Sequence, residues 1–138
     1  MKPTRLFAAL LLLSTSQAYA APAAYLTLDH SSNTLMDSAT AASLWKQNLP
    51  AKMFRLYPEK KWGFVSEVEG GFDDARVCVI TARALMLPRS GKSLIFRPAK
   101  TATTFGSQAG ATSDQCKALA KAKLKEAVED LSSALLGS

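Results

Sequence analysis

Histidine, cysteine and long apolar runs are scarce in this chain. His30 stands alone, and Cys78 and Cys116 are the only thiols. A histidine-activated nucleophile would have to use His30, which sits in the polar run Asp29-His30-Ser31-Ser32-Asn33. That run reads as a solvated turn rather than one member of a triad. One histidine and two cysteines do not make a usual zinc set without carboxylates, and C-x-x-C spacing is absent. Beyond the first twenty residues no stretch is apolar enough to span a bilayer, which takes roughly 20 residues as a helix. Ser90-Gly91-Lys92-Ser93 resembles the end of a phosphate loop, but Met86 stands where its first glycine belongs and a strand is expected to follow. No cofactor is expected.

Acidic residues are also missing from one long stretch. None occurs between Asp74 and Asp114, while Arg76, Arg83, Arg89, Lys92, Arg97 and Lys100 all do. The whole chain carries a formal charge of +6, and without Lys2 and Arg5 the remainder holds 15 basic and 11 acidic residues, a balance of +4. This bias is too small for a nucleic-acid packager, so nucleic acid is not an expected partner. The asymmetry itself suits an oriented protein contact. If the stretch 83–100 forms one surface, it also suits an anionic ligand such as a glycan or a lipid head group.

What is present begins with a leader. Lys2 and Arg5 precede the apolar run from Leu6 to Leu13, and Ala18-Tyr19-Ala20 gives small-x-small spacing. Residues 1–20 are therefore expected to be a signal peptide cut after Ala20, and no transmembrane segment remains after that cut. The mature protein is expected in the periplasm or outside the cell. Residues 21–138 are the right size for a single domain, with some of 21–34 expected to be mobile. In an oxidising compartment Cys78 and Cys116 should form a disulfide, and closing a loop of this length contributes about 4 kcal/mol in the chain-entropy model.

The periodicities predict an α+β fold. It comprises a short N-terminal helix, an antiparallel β-meander of three to five strands, and a long C-terminal helix packed on one face. A first short strand is expected within Tyr25-Leu26-Thr27-Leu28. Asp37 is placed to cap a helix over 38–48, which Pro50 stops. Met53–Tyr57 reads as a strand. Trp62–Val68 alternates, with Trp62, Phe64, Ser66 and Val68 on one face. Gly70-Gly71 and Asp73-Asp74 read as turn residues. Ala75–Leu87, apolar on both faces, reads as a central strand covered on much of both sides. After a turn at Pro88-Arg89-Ser90-Gly91, strands are expected over 93–97 and 101–105, and 106–110 reads as a polar loop. Thr112 and Gln115 match a capping box opening a helix to about Leu135. Its apolar stripe is Cys116, Leu119, Ala120, Leu124, Ala127, Val128, Leu131 and Leu135. The charges on this helix oppose its dipole, with lysines early and acids late.

These observations lead to a small exported binding protein without catalytic activity, such as an inhibitor, an immunity-type protein or an accessory factor. Its partner would be a protein in the envelope or outside the cell. Arg89, Lys92 and Arg97 are the candidate contacts, with Tyr57 and Trp62, beside Lys60 and Lys61, as an aromatic alternative. The second reading is an anionic-ligand binder using 83–100. The third is a small hydrolase whose carboxylates, Glu67, Glu69, Asp73 and Asp74, would have to converge in a cleft. An acidic solvated turn explains the same four residues more simply.

Overall fold

Capping chemistry sets the two longer helices. The computed structural model describes residues 26–137; the leader, its cleavage site and residues 21–25 lie outside the described residues. Helix α1 (Ser38–Asn48) starts at Asp37, whose carboxylate accepts the Thr40 amide at 2.8 Å and the Thr40 hydroxyl at 2.7 Å. These donors favour the ionised form and hold the Asp37 carboxyl below its ordinary value. Helix α3 (Ser113–Leu136) starts at the expected box: the Gln115 amide donates to the Thr112 hydroxyl, and the Thr112 amide donates to the Gln115 side chain. Between the two lies α2 (Lys52–Leu56).

The strands are β1 (Thr27–Asp29), β2 (Trp62–Phe72), β3 (Val77–Ser90), β4 (Ser93–Leu94) and β5 (Lys100–Ala109). β3 is central. It pairs antiparallel with β2 on one side and with β5 on the other, while β4 pairs only with its last two residues. The fold is α+β, a largely antiparallel sheet with the long C-terminal helix packed against it. One pairing departs from a pure meander. β1 runs parallel to β2, with Thr27 opposite Phe64 and Asp29 opposite Ser66. The link between them contains α1 and α2, and a crossover of that length is what parallel pairing requires. Residues 26–32 are held along β2, since His30 and Ser32 donate their amides to the carbonyls of Ser66 and Val68.

Alternation assigns the two faces. Phe64 and Val68 of β2 and Cys78, Ile80, Ala82, Ala84 and Met86 of β3 point inward. They meet Ala41, Trp45 and Met53 from α1 and α2, and Cys116, Ala120, Leu124, Ala127, Val128, Leu131 and Leu135 from α3. The helical stripe is as expected except that Leu119 is half-buried and Ser132 joins the buried set. Thr104 on β5 fastens the layers by donating its hydroxyl to the Lys123 carbonyl at 2.7 Å. The disulfide Cys78–Cys116 is present, with Cα atoms 5.7 Å apart, and ties the start of β3 to the first turn of α3. Lys123 and Lys125 pair with Glu126 and Glu129, so the adverse charge order is partly offset within the helix.

Several local expectations are corrected. Residues 53–57, read as a strand, form α2 and its cap. Pro50 suits a first helical turn, its carbonyl accepts the Met53 amide, and Met53 and Tyr57 face the core four residues apart. Gly70 and Gly71 lie in β2 rather than in a turn. Gly70 has φ +127°, and a Cβ there would stand 2.0 Å from the Val79 carbonyl oxygen. The turn is instead residues 73–76, where the Asp73 carboxylate accepts the Val77 amide. β3 runs through Pro88 to Ser90, so the turn shortens to Gly91-Lys92. Only Ser93–Leu94 of the 93–97 strand pairs; the chain leaves the ladder after Leu94 and returns where the Ala99 amide reaches the Met86 carbonyl. The polar loop expected at 106–110 is mostly strand. Gly106 fits there because Leu119 and Lys123 pack directly on it, and an added Cβ would lie 2.9 Å from Lys123 Cε.

Candidate functional site

The outer face of the sheet is where this fold departs from full burial. Gly63 lets Leu94 lie flat on the sheet, and Leu94 covers Val65, Leu85 and Leu87 in a second small core. Among the described residues, coverage stops there. Farther along β3, Val79 is 43% exposed, and on β5 Phe105 is 69% exposed. The expectation of a central strand covered on much of both sides therefore holds only at its C-terminal half. All three described helices pack on the inner face.

The ladder registers give the geometry of this open area. Glu69, Thr81 and Phe105 form one row across β2, β3 and β5; Glu67, Arg83 and Thr103 form the next. Val79 lies diagonally from Phe105, opposite Ser107. Arg83 pairs with Glu67 at 3.4 Å, so charge on the face is locally balanced. At the other end Phe96, also exposed, stacks on His30 with ring centroids 5.3 Å apart and planes 10° apart. The result is a broad surface with apolar points among hydroxyls and one ion pair. Apolar exposure grouped in this way marks interaction surfaces on soluble proteins.

The residues singled out from the sequence are dispersed. Tyr57 and Trp62 are half-buried against the main core, with rings edge-on at 6.1 Å. The Tyr57 hydroxyl donates to the Leu135 carbonyl at 3.0 Å and so anchors the end of α3. Arg89 is engaged in the turn: its Nε donates to the Gly91 carbonyl and its Nη1 to the Glu59 carbonyl, each at 2.9 Å. Lys92 and Arg97 are exposed on the hairpin and the excursion that follows it. Of the four carboxylates, Glu67 is paired with Arg83 and Asp73 caps its turn. Glu69 and Asp73 line a shallow depression of about 400 Å³ with Gly70, Gly71, Phe72, Val79 and Thr81. A second cleft, about 220 Å³, lies between β1 and α1; Asp29 and Ser66 line it, and so does Trp45, whose buried Nε1–H has no acceptor among the described residues. No group of three or more His, Cys, Asp or Glu side chains suited to a metal ion occurs among the described residues. No family model, curated protein or solved structure matches this chain.

Val79 and Phe105 were not singled out in the sequence, although one signal was there. In Thr101-Ala102-Thr103-Thr104-Phe105 the odd positions share a face. A phenylalanine continuing a row of threonines has no apolar partner on its own strand.

The surroundings of Arg89 separate structural from surface charge. Arg89→Glu removes both carbonyl contacts and sets a carboxylate beside Glu59, so it should lower stability by about 1–3 kcal/mol. Lys92→Glu and Arg97→Glu should each stay within about 0.5 kcal/mol of wild type. Urea denaturation of the three variants checks this; equal effects would mean Arg89 is not built into the turn.

Proposed function

We propose that this protein is a small exported binding protein that acts by contact, with the open outer face of the sheet as its docking surface. The observation that carries this reading is the grouping of exposed Val79 and Phe105 on a face whose other end has its own covering segment. The disulfide fits an oxidising compartment, and no described helix is long and apolar enough to cross a membrane. Periplasmic or secreted placement belongs to the same proposal. The partner is a protein, since apolar points spaced over a broad sheet match a protein surface better than a small solute. The engagement of Arg83 with Glu67 and of Arg89 with Glu59 weakens the anionic-ligand reading, because it leaves fewer unengaged cations over 83–100.

Val79→Lys tests this reading. Val79 lies on the central strand with its side chain outward, so a lysine there alters the face with little effect on the fold. The oxidised protein should capture an envelope or secreted protein that Val79→Lys fails to capture, with unchanged melting. Equal capture by both would place the contact elsewhere.

A further inference from the structure

We propose that the free edge of β5 pairs with the same edge of a second copy of this chain, antiparallel about a two-fold axis, joining two sheets into one. The proposal deepens the contact reading above, because Phe105 belongs to both surfaces. β5 is ten residues long and pairs with β3 in unbroken register from Lys100 opposite Met86 to Ala109 opposite Val77. No described strand occupies its other side. A strand in that position presents a row of outward amides and carbonyls, and proteins that remain monomeric usually blunt such an edge. The blunting devices are shortness, proline, bulges and lysines. β5 has only Lys100, at its first residue. β1, the opposite edge, is three residues long and so is protected by its shortness.

The composition of β5 favours a second copy as the occupant. Antiparallel pairing that sets Phe105 opposite Phe105 brings Lys100 against the uncharged far end of its partner, so no like charges meet. The two phenylalanines, each solvent-facing in one copy, become a cross-strand aromatic pair, which stabilises a ladder. The inner face agrees. α3 packs over β3 and β5, and Lys123 seats on Gly106 with Glu126 one turn onward. A two-fold axis perpendicular to the sheet at Phe105 puts the two copies of α3 on the same face of the joined sheet, antiparallel, each carrying the Lys123–Glu126 ion pair. Because that pair is internally neutral, it sets no like charges against each other in an isologous contact.

Sedimentation velocity on the exported, oxidised protein across about 1–500 μM tests the pairing, because a self-association is set by mass action. The expected result is a monomer–dimer equilibrium, with β5 amides gaining hydrogen-exchange protection as concentration rises and β1 amides unchanged. Phe105→Lys and, independently, Thr103→Lys should each raise the dimer dissociation constant about tenfold or more. Their melting under dilute conditions should match wild type, and Val79→Lys should leave the dimer intact. A monomer at every concentration overturns the proposal, as does a dimer indifferent to both edge variants. If β5 becomes protected only when a captured partner is added, the edge belongs to that partner and the second copy is ruled out. The dimer can fail while capture through Val79 succeeds, and the reverse, so the two readings are separable.

Discussion

Cys116→Ala is expected to lower the free energy of unfolding by about 2–5 kcal/mol, the usual effect of losing a native bridge in a small domain. The bond joins residues 38 apart in sequence, so opening it frees a long loop in the unfolded chain. Both sulfurs sit inside the core, with Cys78 fully buried on β3 and Cys116 on the buried stripe of α3. The substitution therefore also leaves an unpaired thiol and lost contacts at the one covalent joint between sheet and helix. Thiol labelling comes first: the wild-type protein should show no reactive thiol, native or denatured. Urea denaturation of wild type and variant then gives the energy. Two labelled thiols in wild type, or a stability loss below about 1 kcal/mol, would contradict the role given to the bridge.

The C-terminal helix was readable from sequence because several signals agreed. The capping box, the three-and-four apolar spacing and the position of Cys116 all specified the same segment and the same inward face. Short segments gave less. Over 53–57, strand-favouring Phe54 and Tyr57 alternate with helix formers Met53, Arg55 and Leu56, and five residues are too few to separate a period of two from one of 3.6. The parallel β1–β2 pair was hidden for another reason. Antiparallel order was inferred from short links, but the β1–β2 link is long and helical, and only tertiary structure shows that β1 returns to β2. Gly70 and Gly106 read as turn formers, yet their lack of a side chain serves close approach, by the β3 backbone in one case and by α3 in the other.

The surface was the least legible part. Sequence alternation put Phe105 and Val79 on a face but could not show that no described layer covers it. Charge counting grouped Arg83, Arg89, Lys92 and Arg97 into one stretch. In three dimensions the group divides, because Arg83 reaches across the sheet to Glu67 and Arg89 reaches back to Glu59. A run of like charge in sequence thus became two local ion pairs and a looser remainder.

Leu124→Ala should produce the other large loss, about 2–5 kcal/mol, because deleting a fully buried leucine side chain removes its transfer energy and leaves a cavity. Leu124 is midway along α3, fully buried in the same core as Phe64, Ile80 and Ala84. The neighbouring turns are pinned, by the Thr104 bond to the Lys123 carbonyl on one side and the Tyr57 bond to Leu135 farther on. A helix held at these points cannot shift freely to close the gap, which places the expected loss toward the upper end. Leu119 is the internal control, since it lies on the same helix, half-buried over Gly106 at the edge of the layer. Leu119→Ala should lose about 1 kcal/mol, in proportion to the smaller area it removes from contact. Equilibrium urea denaturation of both variants in the oxidised protein measures the contrast. If Leu119→Ala loses as much as Leu124→Ala, α3 is rotated on the sheet, and Lys123 would no longer seat on Gly106 of β5.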